Sequence, residues 1–122
     1  MPRPTKPLGN WGEERAVAYL EAAGYKIIQR NFRWGRQGEI DIVADDHGTL
    51  VFVEVKTQST EAMGEAFTWV TPRKQRQIGR IAAAYLYVNA ITDRDCRFDV
   101  IAVAREASGE VKVQHLVNAF WL

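Results

Sequence analysis

The sequence predicts one α/β domain, a mixed β-sheet flanked by helices, with its elements in the order α-β-β-β-α-β-β. Three observations carry this. Apolar residues recur at helical spacing in two stretches, residues 11–23 and 72–89. The remaining apolar runs are short, rich in β-branched residues and bounded by Asp, Asn and Gly. Finally, 122 residues that are 47% hydrophobic and 25% charged suit one soluble core better than two. The domain is expected over residues 9–122, behind a flexible basic tail over residues 1–8.

Each element has its own signal. In the first helix Asn10 is the expected N-cap, Gly24 the stop, and Ala16, Val17, Leu20 and Ala23 the apolar stripe. Residues 25–30 read as a strand and residues 31–38 as a basic, aromatic loop. Two β-rich runs then flank a turn cluster of Asp, His and Gly, which predicts a hairpin. A polar loop over residues 57–65 leads to the second helix, with Thr71 as N-cap and Pro72 at its first position. Its core side carries Ile78, Ile81, Ala82 and Tyr85. Residues 97–104 and 111–116 read as the last two strands, separated by Ser108-Gly109.

Composition excludes several classes of function. Cys96 is the only cysteine, so no internal disulfide forms and a reducing, cytoplasmic setting is expected. No apolar run approaches the roughly 20 residues that span a bilayer, so no membrane partner is expected. Sixteen Lys and Arg against 15 Asp and Glu give a net charge of +1, far from that of a nucleic-acid packaging protein. A nucleic-acid partner would have to meet locally grouped cations.

The hairpin holds the most informative constellation. With a four-residue loop over residues 46–49, Asp45 lies opposite Leu50, Val43 opposite Phe52, Asp41 opposite Glu54, and Glu39 opposite Lys56. These residues would share one face, the other being wholly apolar with Ile40, Ile42, Ala44, Val51, Val53 and Val55. Opposed carboxylates destabilise a sheet unless they share a proton, meet cations or bind a metal. An oxygen-rich pair of this kind suits Mg²⁺ or Mn²⁺, and a neighbouring lysine can assist an attacking water. The competing reading is an exposed sheet face with a Glu39–Lys56 ion pair. Glu13 is also open to two readings: a capping box with Asn10, or an acid on the inward stripe that reaches the hairpin.

Asp41 followed by Glu54-Val55-Lys56 resembles the D…(D/E)-x-K signature of the PD-(D/E)XK nuclease superfamily. A longer ordered string adds Gly12-Glu13, Gly24-Tyr25, Arg30-Asn31, Gly38-Glu39-Ile40, Phe52-Val53, Arg97-Phe98-Asp99-Val100 and Asn118-Ala119-Phe120. That string is similar to the YraN-like family of bacterial predicted endonucleases, themselves distantly similar to archaeal Holliday-junction resolvases. The resemblance runs from residue 9 to residue 120 and implies a restriction-endonuclease-like core. It implies a metal held by Asp41, Glu54 and the main-chain carbonyl of Val55, Lys56 as catalytic lysine, and Glu13 as a further acid from the first helix. Two positions depart from the pattern. Ile40 replaces the proline of the superfamily label, and Gln58 stands where a basic residue is common.

The candidate nucleic-acid contacts fall in two places. Arg30, Arg33 and Arg36 interleave with Phe32 and Trp34, a composition suited to phosphate contact and base stacking, or to a loop folded over the core. Arg73, Arg76 and Arg80 form a stripe on the second helix with Lys74 beside it, suited to a phosphate backbone or to plain solvation. His47 and His115 have no partner at metal-ligand spacing. The expected function is thus Mg²⁺- or Mn²⁺-dependent endonucleolytic cleavage of branched or structured DNA. The alternatives are a catalytically inactive nucleic-acid-binding module and a protein-interaction module using the apolar end Phe120-Trp121-Leu122. A homodimer is expected only by analogy with junction-cutting nucleases.

Overall fold

The computed structural model describes residues 7–60 and 70–120, with side chains from residue 11 onward. Over these residues the order is α1 (Pro7–Ala22), β1 (Lys26–Arg33), β2 (Glu39–Asp46), β3 (Thr49–Thr57), α2 (Pro72–Val88), β4 (Cys96–Arg105) and β5 (Val111–Leu116). This is the expected α-β-β-β-α-β-β arrangement. Residues 1–6 of the expected tail, residues 61–65 of the expected polar loop, and Trp121 and Leu122 lie outside the described residues.

The five strands form one sheet in the order β1-β2-β3-β4-β5. All neighbours are antiparallel except β3 and β4, which run parallel because α2 carries the chain back across the sheet between them. α1 covers one face, packing Ala16 and Leu20 on Ile42, Ala44, Val51, Val53, Ile101 and Val103. α2 covers the other, where Ile78, Ile81, Ala82 and Tyr85 meet Ile40, Val43, Leu50, Phe52 and Val100. The hairpin strands are therefore buried on both sides near the turn. The expectation of a single core face is corrected.

Local chemistry accounts for most boundaries. α1 starts at Pro7, earlier than residue 11, because proline at a first helical position loses no hydrogen bond. Asn10 then lies inside the helix and does not cap it, which removes the capping-box reading of Glu13. Gly24, at φ +94°, ends α1 in a Schellman arrangement in which Tyr25 N–H donates to the Leu20 carbonyl and Gly24 N–H to that of Glu21. Thr71 caps α2 as expected, accepting from Lys74 N–H at 3.2 Å.

The hairpin turn is tighter than predicted. Asp46 pairs with Thr49, leaving a two-residue loop of His47 (φ +51°) and Gly48 (φ +99°). Asp45 still faces Leu50, so the predicted register survives the shorter loop. β1 also runs on to Arg33, so the expected loop of residues 31–38 shrinks to its last five.

Candidate metal centre and nucleic-acid face

The site is made where two strands part. The β2–β3 ladder ends at Ile42–Val53, so Asp41 and Glu54 are not a ladder pair as the register arithmetic implied. β2 stays instead with β1, down to the Arg33–Glu39 pair. In the fork, the Asp41 side chain substitutes for the missing backbone acceptor, its Oδ2 taking Val55 N–H at 2.8 Å. Asn31, opposite Asp41 in β1, has φ +56°, a left-handed conformation that asparagine tolerates. Side-chain alternation also breaks along β2 across Asp41: Ile40 packs with Val43 on the α2 side, not with Ile42 on the α1 side as the strict alternation predicted.

Opening the fork lets side chains from both faces of the sheet meet. Glu13 comes from α1, and its carboxylate accepts from Asn31 Nδ2 at 2.9 and 3.1 Å. Asn31 Nδ2 also lies 3.2 Å from Glu39 Oε2, so one amide holds two acids side by side. Glu39 further pairs with Arg33 at 3.4 Å. Glu13, Glu39 and Asp41 each present a carboxylate oxygen, and these three lie within 4.8 Å of one another. An all-oxygen donor set of this size fits a hard divalent cation such as Mg²⁺ or Mn²⁺.

Gly12 is what allows α1 to come this near. A methyl group on Gly12 would collide with Thr57 Oγ1 on β3. A mid-helix glycine costs roughly 1 kcal/mol relative to alanine, and close helix–strand contact is the return on that cost here.

Glu54 faces α2. Its side chain is only 7% exposed, and Oε1 is buried without a hydrogen-bond partner among the described residues. Lys74, from the first turn of α2, brings its ammonium to 3.7 Å from Oε2. Burial, above all, pushes both acids upward, Asp41 to about 7 and Glu54 to about 8. For Asp41 the Val55 N–H opposes the rise while the charges of Glu13 and Glu39 add to it. For Glu54 the Asp41 charge adds and Lys74 opposes. The two acids titrate as an interacting pair.

The other expected site residues are distributed as follows. Lys56 is half-buried on β3, two residues beyond Glu54, with Val55 between them. Arg30 is engaged with α1, 3.4 Å from Glu13 and 3.3 Å from Glu14. Arg33 and Arg36 are exposed around Trp34, which stacks near Phe32 and remains 42% exposed. The loop carrying them is pinned to α2, where Gln77 Nε2 donates to the Gln37 carbonyl and Arg80 Nε to Gln37 Oε1. Arg73, Arg76 and Arg80 face solvent along α2, and a shallow groove is lined, among the described residues, by Arg76, Gly79, Arg80 and Ala83. Lys74 departs from this stripe toward Glu54.

Residues without a clear sequence signal build a second polar centre on the α1 side. Asp99 accepts from Arg97 Nε at 3.0 Å, from Arg97 Nη2 at 3.1 Å and from Asn118 N–H at 2.9 Å, and lies 2.7 Å from His115 Nε2. Tyr19 Oη meets His115 Nδ1 at 3.2 Å, and Arg97 also binds Asp46 and Tyr25. His115, which has no partner at metal-ligand spacing in the sequence, thus finds hydrogen-bonding partners in Asp99 and Tyr19. Its acid lies sixteen positions away and is brought to it by β4–β5 pairing. Asp46 likewise sits 2.9 Å from His47 in the turn.

The pattern of residues 12–103 matches the uncharacterised protein family UPF0102. This chain belongs to that family. The sequence is 50% identical to a UPF0102 protein of Geobacter sulfurreducens over 96% of this chain and 91% of that one. It is 48% identical to one from Chlorobium phaeobacteroides and 45% identical to one from Prosthecochloris aestuarii, each comparison covering 93% of both chains. UPF0102 is the YraN-like group that the ordered motifs resemble. Among solved structures, SfsA of Pyrococcus furiosus in complex with Ca²⁺ aligns at a TM-score of 0.34 and 15% identity, over 85% of this chain and 59% of that chain. So slight a likeness has no bearing on function. Among the described residues no helix is long and apolar enough to cross a membrane.

Proposed function

We propose that this UPF0102 protein is a metal-dependent endonuclease that hydrolyses phosphodiester bonds in branched or otherwise structured DNA. The observation that carries the reading is the fork: three carboxylate oxygens within 4.8 Å, together with a buried Glu54 oxygen that has no hydrogen-bond partner among the described residues. A native fold keeps a buried, unpartnered carboxylate oxygen only at a cost, and a bound cation is the simplest compensation.

The chain's own residues divide the work. Glu13, Glu39 and Asp41 would hold a Mg²⁺ or Mn²⁺ ion, with Glu54 and the Val55 carbonyl bordering it. When bound, such an ion supplies Lewis-acid stabilisation of phosphate charge and a more acidic water. Lys56 orients the attacking water or offsets charge on the phosphate. Asn31 and Gly12 keep the acids together. Arg36 and the α2 stripe of Arg73, Arg76 and Arg80 take the flanking phosphates, and exposed Trp34 offers a stacking face for an unpaired base. Branched DNA as substrate follows from the family resemblance. A structured RNA remains a substrate to include in the test.

The deciding experiment is cleavage of four-way junctions, flaps, single strands and matched RNAs with and without Mg²⁺. Wild type is expected to cut only with the ion, and Asp41→Asn and Lys56→Ala to lose at least about a hundredfold in rate. Cleavage that survives both substitutions sinks the proposal. Binding without turnover under every condition would favour an inactive nucleic-acid-binding module.

A further inference from the structure

Lys74 is costly to put where it is. It lies in the first turn of α2, where the helix dipole disfavours a cation, and Arg73 and Arg76 already crowd that end with no acid in the turn. The turn is also firmly built, with Thr71 accepting from Lys74 N–H and Pro72 at the first helical position. A rigid turn that carries a badly sited cation is explained by the cation's target. The ammonium lies 3.7 Å from Oε2 of Glu54, a side chain 7% exposed whose Oε1 lacks a hydrogen-bond partner among the described residues. Removing one partner of a buried ion pair is expensive, so the acid needs a positive charge nearby whenever it is ionised.

That requirement changes when a divalent cation arrives. Asp41 is held against β3 by the N–H of Val55, the residue after Glu54, and the charges of Asp41 and Glu39 act on Glu54, so an ion held by Glu13, Glu39 and Asp41 would act on the same carboxylate that Lys74 serves. Two cations at such short range repel strongly in a partly dry site. The lysine is two-thirds buried and sits on the helix whose exposed stripe is Arg73, Arg76 and Arg80, so a modest rotamer change carries its ammonium toward that phosphate-facing side.

We propose that Lys74 is a positioning residue that stands in for the divalent cation: it neutralises Glu54 while the metal site is empty, yields it when the ion binds, and then contacts a substrate phosphate. This rests on the endonuclease reading for the identity of the substrate, but not for the exchange of cations itself.

The test compares wild type with Lys74→Met, which keeps the length but not the charge, and Lys74→Arg, which keeps the charge. Mg²⁺ binding to the free protein is measured by calorimetry at pH 9, with circular dichroism to confirm folding. Loss of a like charge at this range predicts Mg²⁺ binding tighter by about tenfold in Lys74→Met, and near wild type in Lys74→Arg. Junction affinity is then measured with and without Ca²⁺. The ion should raise affinity in wild type and by several-fold less in Lys74→Met, since linkage makes the coupling reciprocal. Unchanged or weaker Mg²⁺ binding in Lys74→Met overturns the proposal. The two readings also fail separately. Tighter Mg²⁺ binding in a protein that cuts nothing removes the endonuclease and keeps the exchange, whereas cleavage with Mg²⁺ affinity indifferent to Lys74 does the reverse.

Discussion

Glu54 and Asp99 are buried carboxylates on neighbouring strands, one residue apart in the β3–β4 register and facing opposite sides of the sheet. Their surroundings differ completely. Burial pulls Asp99 upward, but hydrogen bonds from His115, Arg97 and Asn118 N–H outweigh it, and the acid titrates below its ordinary value. Burial pulls Glu54 upward too, and there Asp41 adds to the rise while the Lys74 ammonium opposes it. A satisfied buried acid rigidifies the fold it sits in. One left partly unsatisfied beside other acids is the observation on which the proposed metal centre rests. The α1 side of the sheet thus holds a compensated acid and the fork an uncompensated one.

The comparison is most directly broken by substituting each acid. Asp99→Ala strands Arg97 and His115 and should cost about 3–5 kcal/mol in urea unfolding. Glu54→Gln, measured without divalent ions, should leave stability unchanged or raise it by about 1 kcal/mol, because it removes a poorly compensated charge. Equal losses in the two variants would erase the distinction. Stabilisation by Mg²⁺ should be present in wild type and in folded Asp99 variants, and absent in Asp41→Asn.

The pH dependence separates the two centres next. Folded Asp41 and Glu54 titrate above their ordinary values of 3.8 and 4.5, so their contribution to stability is full below those values. It is lost as the pH rises through about 7 and about 8. Asp99 behaves oppositely, contributing above 3.8 and losing that contribution as the pH falls through its lowered value. Urea midpoints should therefore decline from about pH 4 to about pH 8 without divalent ions, and Mg²⁺ should flatten the decline. A decline of the same size in an Asp41→Asn, Glu54→Gln double variant would assign it elsewhere.

A smaller effect tests how α1 is seated. Gly12→Ala should lose about 1–3 kcal/mol by overpacking against Thr57, despite the better helix propensity of alanine. Gly12→Ala with Thr57→Ala should recover much of that loss, a coupling visible in a double-mutant cycle. The smallest expected change in stability is that of Asn31→Gly, which keeps the left-handed backbone but frees Glu13 and Glu39. Stability should move by a few tenths of a kcal/mol, while Mg²⁺ affinity falls several-fold. If Mg²⁺ affinity does not move, Asn31 is not a clamp for the acids.

By itself the sequence determined whatever local interactions decide. The α2 boundary at Thr71-Pro72 and its buried set of Ile78, Ile81, Ala82 and Tyr85 followed from capping chemistry and helical period. The hairpin register followed from its turn cluster, even though the loop is shorter than the residues suggested, because shortening it symmetrically keeps the pairs from Ile42–Val53 to Asp45–Leu50 in place. Asp41, Glu54 and Glu13 were legible as candidates through spacing and family resemblance. Only the tertiary structure decided how they meet. The β2–β3 ladder stops at Ile42–Val53, Gly12 brings α1 down on Thr57, and α2 delivers Lys74 from the far side. The partner of His115 also lay beyond sequence spacing, since β pairing alone brings Asp99 to it. Whether a carboxylate is stabilised or left waiting depends on how much water and which donors surround it. Those are properties of groups distant in the chain, and they exist only once the chain has folded.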